Sequence, residues 1–149
     1  MSELSASPMQ LGHTTHVLEL MRLYCEEVGD AFDHHARTAS LRDLHTASRG
    51  VVYVLSVEGR VVGYAAIGFG FSFEFGGSDA FLDELYLETD FRGGVLSRLL
   101  PVIESEVRHL GASALHLEVL RANPRLVQYY ETLGFENRSR YHLMSKRLD

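Results

Sequence analysis

Two apolar runs joined by a tight turn constrain this chain more than any other feature. Val51-Val52-Tyr53-Val54-Leu55-Ser56-Val57 lies before Glu58-Gly59, and Val61 to Phe69 follows. β-Branched and aromatic residues suit a pleated, buried surface. A two-residue break containing glycine closes an antiparallel hairpin. Gly76-Gly77-Ser78 interrupts the chain again, and Ala80 to Glu88 reads as a third consecutive strand. An antiparallel sheet must therefore form the centre of the fold.

The periodicity then changes. From Gly94 to Leu110, the residues Leu96, Leu99, Leu100, Ile103, Val107 and Leu110 make one apolar helical stripe, ended by Gly111. Pro101 should kink this helix, because it removes the bond to the Ser97 carbonyl. Leu115 to Val119 reads as a strand, a helix follows Asn123, and Tyr141 to Met144 reads as a final strand. Before the hairpin, Val17, Leu20, Met21, Tyr24 and Val28 recur at helical steps over residues 14–28. A polar helix with Leu41 and Leu44 inward covers about 38–48, and a short first strand is expected within Pro8 to Gly12. Hairpins first and βα units later predict an α/β fold with a mixed sheet and helices on both faces. A length of 149 residues suits one domain spanning 1–149.

Composition narrows the function. The formal net charge of −6 argues against nucleic acid as a partner, since phosphate binding needs a basic surface, and favours a cationic substrate. No apolar run reaches the ~20 residues that cross a membrane, and Met1 to Gln10 has neither the basic nor the apolar region of a signal peptide. The single cysteine, Cys25, rules out an internal disulfide and fits a reducing, cytoplasmic setting. The eight histidines show no zinc spacing, so no metal site is expected. Of these, His116 and Glu118 share one face of the Leu115 to Val119 strand.

Two segments carry the chemistry. In Asn123-Pro124-Arg125-Leu126-Val127-Gln128-Tyr129-Tyr130-Glu131-Thr132-Leu133-Gly134-Phe135, Pro124 suits the first helical position and Gly134 the left-handed stop. Asn123 and Tyr130 then lie two turns apart on nearly one face, able to touch one extended ligand. In Asp83-Glu84-Leu85-Tyr86-Leu87-Glu88-Thr89-Asp90-Phe91-Arg92-Gly93-Gly94-Val95-Leu96-Ser97, a strand passes through a glycine turn into a helix. Backbone N–H groups and the positive end of the helix dipole there can hold a phosphate. By strand alternation Asp83 and Glu84 point to opposite faces. Burial of either carboxyl would raise its pKa and suit it to accept a proton.

The Asn123 to Phe135 unit resembles the C-terminal motif of the GNAT N-acetyltransferase superfamily, and the Arg92 to Ser97 turn resembles its pyrophosphate loop. The loop departs from the usual Arg-Gly-x-Gly-x-Gly pattern: it is one residue short, or has Leu96 where a second glycine stands. The resemblance covers most of the chain. It implies the GNAT acyl-CoA N-acyltransferase fold, acetyl-CoA as cosubstrate and a homodimer. It implies that backbone groups of Leu85, Tyr86 and Leu87 and the Asn123 side chain bind pantetheine, and that Arg92, Gly93, Gly94, Val95, Leu96 and Ser97 bind pyrophosphate. It makes Tyr130 the donor to the leaving thiolate.

In the diamine acetyltransferase branch an acidic pair stands at the offset of Asp83 and Glu84, which makes Asp83, with Glu84 as runner-up, the base for a small di- or polyamine attacking directly. Gly63-Tyr64-Ala65 leading to Phe71, Phe73 and Phe75 is similar to that branch's acceptor-side strand and aromatic loop. Alternating phenylalanines equally suit a core or a dimer seam. A protein or peptide acceptor, and a degenerate acyl-CoA-binding module, are the rival readings.

Overall fold

The computed structural model describes residues 3–148 and divides into two compact units, residues 1–118 and 119–149. In the first unit the elements are β1 (Leu4–Pro8), α1 (Thr14–Val28), α2 (His34–Thr46), β2 (Gly50–Val57), β3 (Arg60–Ser72), β4 (Gly77–Leu87), α3 (Leu96–His109) and β5 (Leu115–Leu117). They build a five-stranded sheet in the order β1-β2-β3-β4-β5, antiparallel except for the parallel β4–β5 pair. This is the mixed sheet expected. The hairpin turn has Glu58 at φ 52° and Gly59 at φ 78°, the twist that two-residue hairpins need.

Helices cover both faces. Val17, Leu18, Leu20 and Met21 of α1 and Leu41 of α2 pack with Val52 and Val54 of β2, Tyr64 and Ala66 of β3, and Tyr86 of β4. The intervening Tyr53, Leu55, Ala65 and Ile67 are equally buried on the opposite face. Leu99, Leu100, Ile103 and Val107 form the buried stripe of α3, which packs beside β1. Each such Leu or Ile contributes about 1.5–3 kcal/mol, and α3 runs on through the exposed Pro101.

Local boundaries differ from the sequence reading for identifiable reasons. β1 lies at Leu4–Pro8 rather than within Pro8 to Gly12: the Gln10 N–H donates to His13 Nδ1 and turns the chain toward α1. α2 starts early because the Asp33 carboxylate caps it, accepting from the Ala36 N–H at 2.9 Å. β5 ends at Leu117, two residues short, so Glu118 lies outside the strand and the strand face expected for it with His116 is not formed.

The second unit holds α4 (Pro124–Thr132), with Pro124 in the first turn, Asn123 as cap and Gly134 at φ 97°. No strand forms at Tyr141 to Met144. The Tyr141 N–H closes a turn onto the Arg138 carbonyl, and residues 141–148 are exposed without the ladder that a strand requires.

Candidate active site

The chemistry of the first unit gathers where β4 changes partners. Its parallel ladder with β5 runs through Ala80↔Leu115, Phe81↔His116 and Leu82↔Leu117, then stops. From Asp83 to Leu87 that edge of β4 has no strand beside it among the described residues. On its other edge β4 stays paired with β3 as far as Gly63↔Leu87. Gly63 permits this, since a Cβ there would stand 2.2 Å from the Tyr86 carbonyl oxygen.

A bulge sits at the same place. Ala66 faces Glu84 and Ile67 faces Leu82, which leaves Asp83 as an extra residue. The bulge breaks the alternation that would have sent Asp83 and Glu84 to opposite faces. Burial first, then the charges of Glu84 and Asp83, raise the pKa of Tyr24 on α1, and both carboxylates lie in the field of Arg37 on α2.

Their surroundings differ sharply. Arg37 grips Glu84 with both terminal nitrogens, Nη1 to Oε1 at 2.7 Å and Nη2 to Oε2 at 3.0 Å. The Tyr64 hydroxyl donates to Glu84 Oε1 at 2.9 Å, and the two charged side chains are 22% and 14% exposed. Such a fork is among the stronger hydrogen-bonding arrangements. It raises the pKa of Arg37, and burial first and Glu84 second raise that of Tyr64. Asp83 reaches solvent, yet crowding of its carboxyl first and the charge of Glu84 second push its pKa up, with Arg37 opposing.

Tyr24 stands edge-on to Tyr64 at 6.4 Å, and Tyr64 stacks on Tyr86 at 6.4 Å. The Tyr86 side chain is thus core, and Tyr86 has only its backbone to offer a ligand. The same holds for Val95, which is buried.

The glycine turn leads into α3 with Gly94 at φ 60°. A Cβ at Gly93 or Gly94 would meet nothing within 4 Å, so the turn stands open. The first N–H groups of α3, at Leu96 and Ser97, lack acceptors within the helix, and no acidic residue lies in that first turn. The Ser97 hydroxyl donates back to the Gly94 carbonyl at 3.1 Å. Arg92, expected on the pyrophosphate, is part-exposed and engaged by groups of the first unit. Its Nε donates to the Leu87 carbonyl at 2.7 Å, its terminal nitrogens pair with Glu27 of α1, and its guanidinium lies 5.2 Å from the Tyr86 ring centre.

Further along β4, Asp79 pairs with His116 of β5 at 3.0 Å, and Phe75 packs edge-on to the His116 ring at 4.9 Å. His116 is therefore no simple surface residue. Phe71 and Phe73 are exposed and form an edge-on pair at 5.2 Å, so they are not core. Among the described residues, no group of three or more His, Cys, Asp or Glu could hold a metal ion.

In the second unit, Asn123 Oδ1 accepts from the Leu126 N–H at 3.2 Å, an N-cap bond that uses the oxygen and not the amide nitrogen. Tyr130 stacks edge-on with Phe135 at 5.5 Å, and burial raises its pKa. Arg37 and Glu27 were missed in the sequence. Each sits on a helix far from its partner in the chain, where nothing local distinguishes it from a solvated residue. Tyr24 was legible only as part of the apolar stripe of residues 14–28, not as a neighbour of Asp83 and Glu84.

The profile of the acetyltransferase (GNAT) family matches residues 17–135, and the chain belongs to that family. It is 29% identical over 92 residues to a thialysine N-epsilon-acetyltransferase of Bos taurus, a match covering 58% of this chain and 54%, about half, of that protein. An integron cassette protein from the mobile metagenome of Cole Harbour Salt Marsh superposes with a TM-score of 0.80 at 25% identity, over 97% of this chain and 90% of that one. An aminoglycoside N-acetyltransferase solved with CoA gives 0.80 at 18% identity, over 99% and 97%, a likeness of fold.

Proposed function

We propose that this chain, acting as one domain, transfers the acetyl group of acetyl-CoA to a small aliphatic primary amine by direct attack on the thioester. One observation carries the reading: at the β4 bulge, Asp83, a carboxylate with no ion pair among the described residues, stands beside one that is clamped, Glu84, where β4 parts from β5. An alkylammonium has a pKa of about 10 and must lose a proton before it can attack. Asp83 takes that proton, directly or through water. Glu84, with both oxygens occupied, positions the strand and is not the base.

In this reading the open edge at Leu85 to Leu87 takes the pantetheine arm, and by family resemblance the amide of Asn123 in the second unit is a pantetheine contact. The Gly93 to Ser97 turn takes the pyrophosphate on backbone N–H groups, and a backbone N–H at the splay stabilises the oxyanion. Tyr130 donates to the departing thiolate. Its raised pKa keeps it protonated until then. By family resemblance the protein is a homodimer, and its single cysteine, Cys25, suits a cytoplasmic setting. The bovine relative's name and the acidic bulge together support a small amine over a larger acceptor.

A peptide acceptor is the second reading, favoured by the exposed Phe71 and Phe73, 67% and 94% accessible at the β3–β4 tip. Calorimetric titration with acetyl-CoA, followed by thiol release with small amines and with lysine-containing peptides, tests all of this. Saturable binding with turnover on small amines supports the proposal. Turnover on peptides alone favours the second reading. Absence of acetyl-CoA binding at millimolar ligand leaves a degenerate module.

A further inference from the structure

We propose that Arg37 sets the charge selectivity of the acceptor site. By occupying Glu84 it leaves Asp83 as the one carboxylate of the bulge open to a cation, so the site takes a primary amine without a second ammonium close to the reacting nitrogen. The inference rests on the acetyl-transfer reading above and narrows its substrate class.

The bulge brings two carboxylates together, which taken alone would suit a diamine, one for each ammonium. Arg37 cancels half of that field. Glu84 Oε1 accepts from both Arg37 and the Tyr64 hydroxyl, and Oε2 accepts from the second Arg37 nitrogen. A distal ammonium seeking Glu84 must displace a two-bonded guanidinium from a site where both partners are largely buried. Removing one member of such a pair leaves the other charge poorly solvated. An ammonium that leaves the pair intact finds no second free carboxylate beside Asp83, because Arg37 already neutralises Glu84.

Arg37 is delivered by a different element from either carboxylate. It comes from the first turn of α2, whose start is set by the Asp33 cap. A guanidinium carries five N–H donors, and Glu84 accepts two of them. An acceptor whose far end is neutral, or bears a carboxylate as an amino acid does, therefore meets no penalty there.

The test is a matched pair of acceptors, butylamine and 1,4-diaminobutane, assayed by CoA thiol release at one ionic strength. The expected result is a kcat/KM for butylamine about tenfold above that of the diamine per reactive nitrogen, carried in KM. In Arg37→Gln, with acetyl-CoA binding retained as evidence of folding, the released Glu84 accepts the second ammonium, and the preference falls to unity or inverts. Glu84→Gln, which keeps Arg37 but removes its counter-charge, should widen the preference. Three results overturn the inference: a wild-type enzyme that prefers the diamine, an unchanged ratio in folded Arg37→Gln, or a narrowed ratio in Glu84→Gln. Acetyl-CoA binding without turnover on any amine or peptide overturns the transfer reading itself, which is a different outcome from turnover without selectivity.

Discussion

Arg92, at the head of the glycine turn, is bound to Glu27 near the end of α1, with Nη1 to Oε1 at 2.5 Å and Nη2 to Oε2 at 3.1 Å. The same guanidinium holds the Leu87 carbonyl. The residue that resemblance assigns to pyrophosphate thus ties the end of β4 to α1. In the proposed reading, phosphate binding then falls to the backbone of the turn.

Glu27→Gln separates the two roles of Arg92. The pair is 36% and 47% exposed, so its loss should cost under about 1 kcal/mol of stability. The freed guanidinium should tighten acetyl-CoA severalfold, as read by calorimetry. An unchanged or weaker Kd would show that Arg92 acts on the strand alone.

Asp83→Asn should abolish the acid limb of kcat/KM along with most activity at neutral pH. A base works when deprotonated, and the Asp83 pKa is raised, so wild-type activity should fall with decreasing pH at values above the ordinary carboxylate range. The linkage sign is the reverse of a salt-bridged acid. A folded-state pKa above the unfolded one means that the ionised form disfavours folding once the pH exceeds both. Asp83→Asn should therefore raise Tm at neutral pH and have little effect below the unfolded pKa. A pH–rate profile and a pair of thermal melts check both signs.

Tyr130→Phe should lower kcat by about 10²-fold or more, the usual size of general acid catalysis, with acetyl-CoA affinity nearly unchanged. Because burial raises the Tyr130 pKa, the wild-type kcat should hold through pH 9 and decline only above the ordinary tyrosine range near 10. Equal turnover in the two proteins would remove Tyr130 from the mechanism.

Gly63→Ala tests the backbone approach beneath the site. The new methyl would lie 2.2 Å from the Tyr86 carbonyl oxygen, a fixed backbone atom. Overpacking of this kind costs about 1–3 kcal/mol, and here it should also shift the β4 edge. Urea denaturation should show the loss of stability, and acetyl-CoA affinity should drop with it. A variant as stable as wild type would mean that β3 and β4 separate freely.

What the sequence by itself determined is what local chemistry specifies. The hairpin about Glu58-Gly59, the stripe of α3, and the cap, proline and glycine stop of α4 each depend on residues within a few positions of one another, and the structure has them, except that Leu110 of the stripe lies exposed past the helix end and Leu96 is only part-buried. The mixed sheet follows from their order. The tertiary structure alone decided the arrangement of charges. Side-chain alternation belongs to one strand, but a bulge arises between two, so only the pairing of β4 with β3 could bring Asp83 and Glu84 to the same neighbourhood. Arg37 reaches Glu84 across 47 positions and Arg92 reaches Glu27 across 65. Isolated charges on helices look alike until packing selects which of them is desolvated beside a partner. The segment Tyr141 to Met144 shows the converse: strand-forming residues remain irregular when no ladder receives them.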